Sequence, residues 1–293
     1  MNIIYLIIHI LFALGMFISL KIINIKGLNK FLAITINYVI ALIFTLITYK
    51  YPISTITDYY STNLILASLW VGVLFIVSFI LMIFSTERAG IGLTTALNKM
   101  AVVIPVSVGI VYLGQHDNIT FKLVGIALAL ASFVLILYKK ETEKKKLSAL
   151  LLPLSVFLVS GLIDTSMELT NTILITQKFE IELFLMGIFA TASIIGIVTI
   201  VLDKFWIKTK EKFSYNTILW GAIMGVFNFL VSKMILINVG LMGGSVVFPV
   251  HNAAVVSLTA LIGVLFFKEK FSAKQWAGVA LAVISVIMIA GTL

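Results

Sequence analysis

Long apolar runs alternate with short polar ones along this chain. Ten apolar stretches stand out, at roughly 3–20, 31–49, 64–84, 92–113, 121–138, 149–173, 182–202, 216–238, 244–266 and 273–292. Most approach the ~20 residues that an α-helix needs to cross a hydrocarbon layer of ~30 Å. None shows the sustained period-2 alternation of a barrel strand. The pattern therefore predicts an all-α integral membrane protein with ten transmembrane helices. The first stretch follows Met1 almost directly and has no basic leader, so it reads as a retained helix and not as a cleaved signal.

Composition points the same way. The chain is 61% hydrophobic and 11% charged, where a soluble domain is about a quarter charged. So few charged side chains cannot coat a globule of 293 residues, so lipid is the expected solvent. A soluble domain, a disordered segment and a nucleic-acid module are excluded. With no cysteine in the chain, a disulfide-stapled scaffold is excluded too.

The net charge of +9 is unevenly placed. One set of alternate loops holds Lys21, Lys26 and Lys30, then Arg88, then five lysines in 139–146, four in 204–212 and three in 268–274. The other set holds Lys50, Lys122 and Lys178. Sixteen against three is a strong positive-inside signal. It places the first set in the cytoplasm and both termini outside, as expected for a multi-pass protein of the inner (plasma) membrane. The run from Lys139 to Lys146 reads as a solvated linker.

The chain also resembles itself. Leu69-Trp70, Phe79 and Gly90 recur 150 residues later as Leu219-Trp220, Phe229 and Gly240. Three residues are then added within 241–247, and the offset becomes 153. Ala101-Val102-Val103 recurs as Ala254-Val255-Val256, and Gly125, Ala127, Leu128, Ala129 and Ser132 recur as Gly278, Ala280, Leu281, Ala282 and Ser285. The expected organisation is a first five-helix repeat at 1–138, a basic cytoplasmic linker at 139–148 and a second five-helix repeat at 149–293. Five is odd, so the second copy enters the membrane from the opposite side. Such inverted repeats are an architecture of alternating-access transporters, with the substrate near the midplane.

At these residues the chain resembles a known family. The stretch from Gly263 to Gly278, GVLFFKEKFSAKQWAG, is similar to the C-terminal half of an EamA domain of the drug/metabolite transporter superfamily. The features shared are a small-residue helix end, Glu269 in the short loop, and Gln275 and Gly278 entering the last helix. The first copy departs from this pattern, with His116 where Glu269 stands and Lys122 where Gln275 stands. Asn98-Lys99-Met100 through Pro105, and Val247-Phe248-Pro249-Val250-His251-Asn252, resemble a bacterial branch of EamA-like permeases. The resemblance implies ten helices in two inverted repeats and transport of a small metabolite.

Ionisable groups inside the membrane are expensive and mark function by default. Lys99, Asp164, Glu168, Lys233 and His251 are the deep ones, and His9, in the first stretch, fits a packed core histidine better than a ligand. At the offset of 153, Asn98 matches His251 and Lys99 matches Asn252. Inverted repeats would put these two dipeptides on either side of the midplane, as substrate contacts or as a polar core joining two helices. Pro105 and Pro249 lie in the same two stretches. Asp164 and Glu168 are four residues apart, on one helix face. They fit a proton-coupling or cation-binding pair, or else a fixed pairing with lysine. Lys233, Asn228 and Ser232 are candidates for the cavity wall, with snorkelling and helix–helix bonding as the bland readings. Asn37 and Asn171 invite the same two readings. Gly221-x-x-x-Gly225 permits close helix approach. Trp70, Trp206, Trp220, Trp276, Tyr5, Tyr51, Tyr59 and Tyr60 sit near span ends, as in an aromatic belt.

No metal-protease, phosphate-loop or nucleophile-elbow motif is present, and three histidines make a multi-histidine metal centre improbable. The sequence thus reads as no enzyme, with no cofactor and no metal. Its expected partners are a small-molecule metabolite and the lipid bilayer, with no nucleic acid, and both monomer and homodimer stay open. Two functions fit: a secondary transporter, permease or exporter, working by alternating access with proton coupling as one option, or a non-transporting accessory or sensor protein of the same fold.

Overall fold

The computed structural model describes residues 2–89, 91–136, 151–202, 214–267 and 271–290. The linker 139–148, Gly90, Trp206, Glu269 and the lysines of 204–212 and 268–270 lie outside the described residues. Among the described residues there is no strand. The helices are α1 (Asn2–Ile25), α2 (Lys30–Thr48), α3 (Ser54–Tyr59), α4 (Thr62–Ala89), α5 (Ile91–Met100), α6 (Val103–Val111), α7 (Ile119–Ile136), α8 (Leu151–Leu169), α9 (Lys178–Leu202), α10 (Tyr215–Met242), α11 (Gly244–Phe267) and α12 (Ala273–Ala290). A π-helical turn, Thr170–Leu174, follows α8 directly.

Among the described residues eight helices are long and apolar enough to cross a membrane, and two shorter apolar stretches, Leu97–Val111 and Ala273–Ile289, accompany them. Large apolar side chains face outward along them, among them Ile47, Val111, Leu265 and Ile287. In water such a surface would aggregate; against acyl chains it is the expected coat. The molecule is an all-α, multi-pass membrane protein.

The stretch expected as one helix at 92–113 is instead two, α5 and α6, with a turn at Ala101-Val102. Pro105 is the cause. It has no N–H to give the Ala101 carbonyl, and its ring crowds that oxygen. The Ala101 carbonyl takes the Ile104 N–H at 3.0 Å instead, a tighter i→i+3 bond. Pro249, by contrast, lies inside an unbroken α11.

The helices form two compact units. The first takes residues 3–76 and 169–237, and the second takes 77–168 and 238–293. Each unit thus draws on both halves of the sequence. In the first unit α2 and α9 pack antiparallel: Thr35, early in α2, lies against Gly196, late in α9, while the rings of Tyr38 and Phe189 are 6.5 Å apart at mid-helix. The Gly221-x-x-x-Gly225 face of α10 runs parallel along α2. A Cβ on Gly221 would stand 2.9 Å from the Ala33 carbonyl, and one on Gly225 2.5 Å from that of Asn37. α4 meets α9 in the same manner, with Gly72 against the Ile188 carbonyl. Between apolar helices in lipid, this close backbone packing is what holds.

In the second unit α7 and α12 pack antiparallel. Gly125, at the start of α7, faces Ile289 at the end of α12; Gly278, at the start of α12, faces Ile136 at the end of α7. Polar bonds reinforce both ends. The Ser285 hydroxyl donates to the Gly125 carbonyl at 2.7 Å, and Gln275 Nε2 donates to the Ile136 carbonyl at 3.1 Å. Ser272 and Gln275 also form a capping box at the start of α12, with Gln275 Oε1 accepting the Ser272 N–H at 2.9 Å and Ser272 Oγ the Gln275 N–H at 3.4 Å.

Candidate functional site

The break between α5 and α6 sets the site. It leaves Lys99 in the last turn of α5, where the helix dipole favours a cation. Its ammonium donates to Asn252 Oδ1 on α11 at 3.0 Å. Asp164, on α8, is an electrostatic neighbour of Lys99, and Glu168 is one of Asp164. Asn252 is buried; Lys99 and Asp164 are partly buried. Asn98 and His251 stand next to the two bonded residues in their helices and are likewise partly buried.

Glu168 has a different set of partners. It is fully buried. Its Oε1 accepts from Gln115 Nε2 and from the Gly244 N–H, both at 2.9 Å. Gln115 Oε1 in turn accepts the Ser245 N–H at 3.0 Å, and Lys122 Nζ donates to the Gln115 carbonyl at 3.3 Å. Glu168 therefore lies at the amino end of α11, where free N–H groups and the helix dipole stabilise a carboxylate. Three polar atoms in and beside this cluster are buried with no hydrogen-bond partner: Glu168 Oε2, Thr165 Oγ1 and Ser245 Oγ.

These groups all belong to the second unit. Two other candidates, Asn228 and Lys233, belong to the first unit. Lys233 forms an ion pair with Glu182 Oε1 at 2.7 Å, and its ammonium lies 5.8 Å from the Phe229 ring centroid. Ser232 Oγ donates to Asn228 Oδ1 at 3.4 Å. Asn37, in the first unit, is buried with neither side-chain amide atom bonded. Asn171 sits in the π-helical turn, and His9 is buried in α1.

Glu182, Gln115, Gly244 and the burial of Lys122 were not read from the sequence. Glu182 sits at the margin of its apolar stretch and Gln115 in a loop. Gly244 lies in the 241–247 stretch where the second half adds three residues, while nothing in the sequence singled out Gln115. Among the described residues no group of three His, Cys, Asp or Glu side chains is placed to hold a metal ion.

The site and the fold define a class, a polytopic helical membrane protein with a buried ionic cluster in one unit. No protein-family model matches the chain, and no curated protein does. Twenty-six chains of solved structures match it. One, a crystal structure described only as that of a protein, has a TM-score of 0.72 over 98% of this chain and 95% of that one, at 10% identity. The likeness is one of fold.

Proposed function

We propose that the chain is an EamA-like permease of the drug/metabolite transporter superfamily. In this reading it is a secondary transporter that moves a small metabolite across the inner membrane by alternating access. It crosses the membrane ten times as two inverted five-helix repeats, with both termini extracytoplasmic and the basic loops inside.

One observation carries the proposal: the Lys99–Asn252 bond. The two residues are 153 apart, the repeat offset itself. When a residue touches its own repeat mate, both lie beside the axis relating the repeats, and that axis is where inverted-repeat carriers bind solute. The reciprocal contacts Gly125–Ile289 and Gly278–Ile136 obey the same offset and support the same axis. The antiparallel α2 and α9 support the span count. Helices of opposite direction need an even number of crossings between them. α4, α7 and α8 supply three, so α5 with α6 supplies the fourth.

In the transport cycle Lys99 receives an anionic group of the solute as Asn252 lets go, and Asp164 receives an amine or a proton. The unbonded Thr165 and Ser245 hydroxyls give the solute further partners. The pairing of Lys233 with Glu182 and of Glu168 with Gln115 favours the second reading, an accessory or sensor protein with sealed polar groups. A thermal-shift screen of the purified protein against small anionic and zwitterionic metabolites separates the two. A carrier yields at least one solute that raises the melting temperature of the wild type and leaves Lys99→Ala unmoved. A panel that moves neither protein, or both alike, contradicts the proposed site.

A further inference from the structure

The Glu168 cluster has a geometry that solute binding does not require. It joins three separate segments of the second unit. Glu168 closes α8, Gln115 follows α6, and Gly244 opens α11. Gln115 is partly buried, while its neighbours Gly114, His116 and Asp117 are exposed, so the knot lies at a water-facing end of the unit. Inward from it come Asp164, one helical turn before Glu168, and Asn252, seven residues beyond Ser245. At 1.5 Å per residue that is about 10 Å. The knot stands between outside water and the Lys99–Asp164–Asn252 cluster.

The backbone is shaped around it. Gly243 has φ +76°, a left-handed conformation that side chains resist. A Cβ on Gly243 would stand 2.9 Å from Gln115 Oε1. A Cβ on Gly244 would run into the Glu168 carboxylate itself. Both glycines lie in the stretch 241–247, within which the second half adds three residues.

We propose that Glu168, Gln115 and the Gly243-Gly244 turn form a clasp that holds this end of the second unit closed, and that releasing Glu168 admits water to the polar cluster beneath. The carboxylate is held by two N–H donors and the α11 dipole on one side, while its Oε2 has no bond to lose. The clasp is thus strong enough to define a closed state and simple enough to open in one motion of α11 away from α8. The inference rests on the transporter reading for its place in a cycle and for the side it faces, which the lysine count makes extracytoplasmic.

The chain has no cysteine, so one introduced thiol reports alone. Ser245→Cys places it beside the clasp at a side chain that makes no hydrogen bond. The measurement is the rate at which a membrane-impermeant quaternary-ammonium methanethiosulfonate labels that thiol in sealed proteoliposomes. The clasp predicts slow labelling in Ser245→Cys alone. Adding Glu168→Ala, Gly244→Ala or Gln115→Ala should raise the rate by about tenfold or more, because each removes a charge-assisted bond or its seat from the closed state. Gln115 lies outside every helix, so its variant keeps the test open where the other two fail to fold. Rates within about twofold of the parent in every folded variant overturn the clasp. Faster labelling in a protein that moves no solute keeps the clasp and removes the carrier reading. Solute movement with unchanged labelling does the reverse.

Discussion

Lys99, Asp164 and Asn252 form a small circuit in a medium where a stranded charge costs several kcal/mol. Lys99 gives its proton bond to Asn252 and its field to Asp164. Removing either charge alone leaves the other uncompensated. We therefore expect Lys99→Met and Asp164→Leu each to lower the melting temperature in detergent, and the double variant to lie nearer the wild type than the single effects sum to. The coupling should be about 1–3 kcal/mol, the range for residues in one polar network. Strictly additive losses would show that the two charges do not interact. The acids and bases themselves were plain in the sequence, since a charge inside a long apolar run is conspicuous. Of their partners, the repeat offset offered Asn252 for Lys99 and the charges offered a lysine for the carboxylates, but Gln115 and Gly244 for Glu168 and Glu182 for Lys233 were not visible. Asp164 and Glu168 share a face, yet one faces a lysine and the other caps a helix. Lys233 took Glu182, which the apolar pattern leaves at a span margin. Pairing depends on helix rotation and on neighbours distant in sequence, which local periodicity does not encode.

At the scale of elements, the positions of the long helices were legible because each spanning segment must be apolar for most of its length. The short α3, the π-helical turn and the break after Met100 were not, since each is a local backbone event inside or beside such a run. Pro105 is plain in the sequence, but a proline bends one helix and divides another. Here it divides, whereas Pro249 leaves α11 whole. The division is what leaves Lys99 at a helix end. Pro105→Ala restores the i+4 donor for the Ala101 carbonyl, which now takes the Ile104 N–H instead, and should stabilise the protein by up to about 3 kcal/mol, the inverse of a proline's penalty inside a helix. The same change joins α5 to α6 and removes the hinge beside the site, so solute movement should fall while the melting temperature rises. A variant that melts lower, or that moves solute as fast as the wild type, separates the break from function.

For the whole molecule, the paired landmarks such as Trp70 with Trp220 and Ser132 with Ser285 are what the sequence offers for the proposed repeat. The two spatial units have no such landmarks. Their boundaries fall within α4 and α10 and at the end of α8, with no change of composition to mark them. A sequence half follows chain order and a packed unit follows contact, so the two divisions need not coincide. The central claim is that repeat-matched polar residues on α5 and α11 form one solute site in a membrane carrier. The most direct test loads proteoliposomes with an unlabelled cell-metabolite extract and follows the entry of the same extract uniformly labelled with carbon-13, by mass spectrometry. We predict that at least one labelled metabolite enters liposomes holding the wild-type protein about tenfold faster than those holding an equal amount of folded Lys99→Ala, the loss expected when one charged contact to the solute is removed. Equal entry through both proteins, or none above empty liposomes for the wild type, would contradict the account.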